Sequence, residues 1–157
     1  RQGTPRNGGY TIVRDRVLAG FIAGILAAIG ADIANWIFFL TGFSQVRFLD
    51  WASRIFLGYL PATTEAIIIT QAVQIVWDGL IGVLFVMLIP LIDSRYLVFK
   101  GIMFAVAIFF TFRAITVIYN VAPLNSLSLN SFLSNVACSL IWGLLAAFFI
   151  ERFHADL

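Results

Sequence analysis

Charge and metal-ligating side chains are what this chain has least of. It carries one cysteine and one histidine in 157 residues, and only 11% of it is charged, against about a quarter in an ordinary soluble domain. A single thiol, Cys138, can neither close an intramolecular disulfide nor assemble a metal site, so it reads as a small packing residue. The histidine, His154, lies near the C-terminus among Glu151, Arg152 and Asp156. That placement excludes haem held by histidine inside a membrane and a histidine-based zinc site; no metal and no cofactor is expected. Proline is also sparse, and Pro61, Pro90 and Pro123 fall between the apolar runs rather than within them.

What the chain has instead is hydrophobic length. Hydrophobic residues make up 61% of it, gathered into four runs at about residues 16–40, 64–89, 97–119 and 131–150. A helix needs about 20 apolar residues to cross a hydrocarbon core ~30 Å thick, and each run meets that length. Four spans leave no room for a separate soluble domain of roughly 50 residues or more. The expected fold class is therefore all-α: one integral membrane four-helix bundle, its neighbours antiparallel because their connections are short. The first run is too long for the h-region of a signal peptide and is expected to stay as a helix. The polar, Gly-rich segment ahead of it, within the tail 1–14, has a composition that normally stays mobile, and the C-terminal tail 151–157 is expected to be solvated.

The connection between the first two spans has a pattern of its own. Arg47, Asp50 and Arg54 fall on one helical stripe while Phe48, Leu49, Trp51, Ile55, Phe56 and Tyr59 cover the rest. Such a helix suits a membrane–water boundary, where Trp and Tyr rings are favoured. An interfacial helix is expected at about residues 45–59, ended by Leu60-Pro61. Pro90 closes the second span, and Ile92-Asp93-Ser94-Arg95 makes a tight return.

Positive charge sets the orientation, because cytoplasmic flanks retain Lys and Arg. Arg1, Arg6, Arg14, Arg16, Arg95, Lys100 and Arg152 lie on one side, and only Arg47 and Arg54 on the other. Both termini are expected in the cytoplasm. The positive charge therefore reads as topology, with membrane lipids as the surroundings and no nucleic acid as partner.

Polar residues inside the runs carry whatever specificity there is. Gly20, Gly24, Ala28 and Asp32 recur every four residues on the first span, with Asn35 on the same face; rows of small residues let helices approach closely in lipid. Gln71, Gln74, Asp78 and Gly82 line one face of the second span. A central Asp against lipid costs about 2.5–3.5 kcal/mol on insertion scales, so this stripe is expected to face the bundle or a neighbouring subunit. Arg113 lies about 16 residues into the third span, ~24 Å from its start at 1.5 Å per residue, whereas Lys100 is close enough to the end to snorkel. Arg113 is expected to pair with Asp32, at the level of Asn35, Gln71, Gln74 and Asn135, in one polar layer. Asp78, deeper and without a matching cation, is a possible proton site that reaches Ser139 or the indole of Trp142. Ser139 and Gly143 belong to a small and polar packing face on the fourth span.

An intramembrane enzyme needs a nucleophile with an aligned base, or a metal with several ligands, and neither is visible; no enzyme is expected. The expected function is that of a structural or accessory membrane protein that packs as a homo-oligomer or as a subunit of a larger membrane complex, and one alternative stands beside it. That alternative is an oligomeric channel or transporter for protons or small solutes that uses the polar stripe, and water-filled access to Asp78 discriminates between them.

The stretches GFIAGILAAIGADIANW, GLIGVLFVMLIP, KGIMFAVAIFF and SNVACSLIWGLLAAFFIERF resemble the small four-helix bacterial inner-membrane proteins of the YagU type, through glycine placement and hydropathy across all four spans. The resemblance implies that fold, a bacterial inner (cell) membrane and a link to acid tolerance. This chain lacks histidines associated with some members. The topology is testable: a reporter that fluoresces only in the cytosol, fused to either end of the chain, is expected to light up in both fusions. A dark fusion at one end overturns the orientation.

Overall fold

In the computed structural model, residues 15–92 and 95–153 are described. The N-terminal tail 1–14, the return through Asp93 and Ser94 and the terminal residues around His154 lie outside the described residues. Five α-helices follow one another: α1 (Arg16–Leu40), α2 (Phe48–Phe56), α3 (Thr64–Leu88), α4 (Leu97–Ile118) and α5 (Leu129–Phe153), with a 3-10 turn at Ile89–Leu91 after α3. No strand occurs among the described residues. The four long helices are each long and apolar enough to cross a membrane. The helix in the first connection is shorter than the expected 45–59, and α5 runs on to Phe153, so Glu151 and Arg152 belong to its last turn rather than to a tail.

Local chemistry sets the helix ends. Asp15 caps α1 by accepting from the Val17 N–H at 2.9 Å, which satisfies one of the four donors that a helix start leaves unpaired. Thr63 does the same for α3 through the Ala66 N–H. Asp50, in the first turn of α2, accepts the Arg47 backbone N–H at 2.7 Å and holds the Arg47 guanidinium at 2.8 Å. Gly42 and Gly58, at φ +75° and +76°, follow α1 and α2, a left-handed conformation that glycine adopts without a Cβ penalty.

α1 is the middle of the assembly, packed on α3 along one side and on α5 along the other; α4 packs on α5, and α2 lies against α3. The α1–α3 contact is made of backbone. A Cβ built on Gly82 lies 2.8 Å from Gly24 Cα, and one built on Gly20 lies 2.8 Å from the Gly82 carbonyl oxygen. The α4–α5 contact repeats the device: a Cβ on Gly143 comes within 2.9 Å of Ala105 Cβ and presses on the Gly101 carbonyl. The buried residues of α1 and α5 are mostly small, with Ala23, Ala27, Ala28, Ala146 and Ala147 fully buried beside Ile150 and Trp142. Apart from a few such as Phe85 and Ile150, large apolar side chains of the long helices point outward, among them Ile33, Ile37, Ile68, Met87, Phe99 and Phe148. Small residues inside and large apolar ones outside is the arrangement in which helix contact depends on close backbone approach and dispersion.

Gly82→Ala is expected to destabilise the protein by about 1–3 kcal/mol, because the new methyl meets helix backbone that cannot yield. Gly30→Ala is expected to change stability far less, since its Cβ meets only the end of the Leu145 side chain. Thermal unfolding of both variants in the same detergent checks the contrast; equal losses at the two positions overturn it.

Candidate functional site

The polar stripe of α3 meets α1 two to three turns beyond the glycine contact. Gln71 Nε2 donates to Asp32 Oδ2 at 2.7 Å and to Gln74 Oε1 at 2.6 Å, and Gln74 Nε2 donates to Asp78 Oδ2 at 2.6 Å. The Trp36 indole N–H closes the series by donating to Gln71 Oε1 at 2.9 Å. Donors therefore run in one direction from α1 through two glutamine amides to Asp78. Asp32 is 7% exposed and Gln74 5%. Neither carboxyl has a cation partner: among the described residues the salt bridge formed is Arg47–Asp50.

The expected pairing of Arg113 with Asp32 does not occur. Arg113 sits little more than a turn from the end of α4, and its guanidinium donates to the Leu124 and Asn125 carbonyls and to Thr116 Oγ1. Measured from the start of the helix the residue is deep; measured from the other end it is within reach of the 119–128 connection, whose carbonyls take the charge. Leu124 is 1% exposed, so this connection is tucked against the helices rather than hanging free. Lys100 also departs from expectation. It is buried, and its Nζ donates at 3.0 Å to the Ile89 carbonyl, which also accepts the Ile92 N–H at 3.4 Å.

The single polar layer divides into two clusters. Asp32, Gln71, Gln74 and Asp78 form the first. In the second, Asn35 Oδ1 accepts the Phe48 N–H at 2.8 Å and Asn35 Nδ2 donates to Asn135 Oδ1 at 3.4 Å, with Cys138 Sγ at 3.9 Å. This cluster ties the start of α2 to α1 and α5. Arg47 lies on the rim of both, its guanidinium 5.2 Å from the Trp36 ring and 4.7 Å from that of Phe39.

Asp78 does not bond Ser139 or Trp142, as expected from sequence, but shares a cavity with them. The Ser139 hydroxyl donates to the Asn135 carbonyl at 2.8 Å, and the Trp142 indole N–H has no partner. The cavity, about 120 Å³, lies between α3 and α4, with α2 along one side and α5 behind. Seven of its fifteen lining residues are aromatic. Phe56, Trp77 and Phe112 stand edge to face in series at 6.5 and 6.3 Å, and Trp51 meets Phe109 at 6.5 Å. On the opposite side of the glutamines, Asp32 and Gln71 border a shallow groove with Ile29, Ile33, Trp36 and Ile37. The amide series therefore joins two carboxyls that face two different hollows.

Sequence reasoning missed the cavity wall contributed by α2 and α4, because aromatic residues in an apolar run carry no sign of which ones face inward. It also passed over Gly101, although Gly101 and Ala105 show the same four-residue spacing that marked α1. Among the described residues no cluster of His, Cys, Asp and Glu could hold a metal. The chain matches no family model, no curated protein and no solved structure.

The separation of Arg113 from Asp32 has a direct consequence. Arg113→Met is expected to destabilise the protein by about 2 kcal/mol, since it leaves buried carbonyls of the 119–128 connection unpaired. In a double-mutant cycle with Asp32→Asn the two effects are expected to add within about 0.5 kcal/mol. A coupling of several times that size, read from unfolding midpoints, shows that the two charges do interact.

Proposed function

We propose that this chain is a multi-pass membrane protein that moves protons or small solutes through an oligomeric channel or transporter, with Asp78 as the group that takes up charge. One observation carries the reading: Asp78 lines a cavity, and a cavity beside that residue is what a transport role requires and a packing role does not. Asp32 supports it as a second uncompensated carboxyl, held by the same glutamines on the far side of α3. Intramembrane acidic groups of this kind mark ion and proton pathways. A fixed amide donates a hydrogen bond without releasing its proton, so the glutamines orient the carboxyls, and transfer between them requires water or a rearranged Gln71–Gln74 pair.

In this reading α2 lies at the membrane–water boundary, the termini are cytoplasmic and the membrane is a bacterial inner membrane, as the charge asymmetry and the YagU-type glycine pattern suggest. Four helices are few for a carrier built from repeated halves, so several copies surround the pathway, and the least buried helix, α4, supplies the contact between them. An accessory role within a larger complex is the second reading. It draws support from the same outward face of α4 and from the number of polar groups spent on internal hydrogen bonds.

Purified protein in lipid vesicles bearing an interior pH dye separates the two. The wild type is expected to dissipate an imposed proton gradient, and Asp78→Asn to abolish that activity while assembling normally. If Asp78→Asn conducts like the wild type, or neither conducts while both assemble, the transport reading fails and the accessory one replaces it.

A further inference from the structure

We infer that the cavity between α3 and α4 is a binding site for a small quaternary ammonium ion, held by Asp78 and by the aromatic rings of Trp77, Trp51, Phe112 and Trp142 that line it. This deepens the transport reading and rests on it, because it names a cargo class for the same site.

Three features point the same way. The first is charge: Asp78 accepts one hydrogen bond from Gln74 and has no cation beside it, so the wall of a mainly apolar cavity carries one unbalanced acidic group. A carboxyl in such surroundings is stable with a bound proton or with a positive partner, and no side chain of the described residues provides the partner. The second is the lining. Nearly half of the wall is aromatic, and an array of ring faces attracts a cation through the ring quadrupole, most strongly when both are out of water. Hydrated metal ions are poorly served by such a wall, whereas an ammonium cloaked in methyl groups matches it in both charge and apolarity. The third is size. A cavity of 150 Å³ accommodates benzene, so about 120 Å³ suits a ligand of roughly half a dozen non-hydrogen atoms, the scale of tetramethylammonium or of one carrying a short hydroxyalkyl arm. Trp142 adds a place for that arm. It is 6% exposed, it lines the cavity, and its indole N–H has no acceptor, a buried donor that a ligand hydroxyl oxygen would satisfy.

Three of the four tryptophans, Trp51, Trp77 and Trp142, line the cavity, so intrinsic fluorescence of the full chain in a non-ionic detergent reads occupancy directly. Titration with tetramethylammonium chloride is expected to give a saturable change, sodium chloride to give none, and tert-butanol, a neutral molecule of similar size, to bind at least roughly tenfold more weakly. Asp78→Asn, which keeps the size of the side chain and its acceptor for Gln74, is expected to weaken binding roughly tenfold. Ile108→Phe, which fills the cavity and leaves Asp78 in place, is expected to abolish the change, and it decides the matter should Asp78→Asn fail to assemble. Equal responses to tert-butanol and tetramethylammonium, unchanged affinity in either variant, or no saturable response in the wild type overturns the proposal. A wild type that conducts protons through Asp78 but shows no ammonium response removes this inference alone and leaves the transport reading standing.

Discussion

The contact of α1 with α3 at Gly20, Gly24, Gly79 and Gly82 is the constraint on which the rest of the structure depends. Where two helices meet through backbone, with a Gly82 Cβ excluded by Gly24 Cα at 2.8 Å, the rotation of each about its own axis is no longer free. The residues one and more turns further along are then carried to defined places. Asp32 lies two turns beyond Gly24 on the same face of α1, and Gln71, Gln74 and Asp78 lie on the matching face of α3, so a contact made of small residues delivers a hydrogen-bonded series of polar ones. Small side chains supply the proximity, and the glutamines exploit it.

The disposition of positive charge follows from helix ends. Arg113, Lys100 and Arg54 each donate to backbone carbonyls, at Leu124 and Asn125, at Ile89 and at Gly58 respectively. Arg47 is taken by Asp50 at the start of α2. Carbonyls at the ends of helices and in the turns beyond them lack intrahelical donors, and in surroundings without water a guanidinium or ammonium is the strongest donor within reach. With these four cations held elsewhere, Asp32 and Asp78 are left to the amide donors of Gln71 and Gln74. That division of labour leaves two carboxyls inside the long helices without an ion-pair partner among the described residues.

Much of this was legible from residue order. Four uninterrupted apolar runs, bounded by Pro61, Pro90 and Pro123, locate the long helices to within a few residues, and the four-residue rows of Gly and Ala on the first and fourth runs mark faces that the structure buries. The stripe Gln71, Gln74, Asp78 is visible because three polar residues at helical spacing stand out in a greasy background. The partner of Arg113 was not legible. Depth counted along one helix says how far a charge is from one end, but not what the folded connection at the other end offers, and the 119–128 segment gives no hint in its composition that Leu124 is buried and its carbonyl turned toward the guanidinium. The cavity was hidden for a related reason: 16 phenylalanines spread over all the helices look alike until packing separates the few that face Asp78 from those that face outward.

Sequence alone determined the helical class, the number of long helices and the faces on which they are small or polar, because these depend on periodicity within a single segment and on the transfer energy of each side chain. Tertiary structure alone decided that Asp32 and Asp78 share one hydrogen-bonded series, that Arg113 is bound by loop carbonyls, and that Asp78 opens onto an aromatic cavity. Those outcomes depend on which faces of different helices meet and at what rotation, a relation between segments distant in the chain that glycine contacts set and that no local pattern encodes.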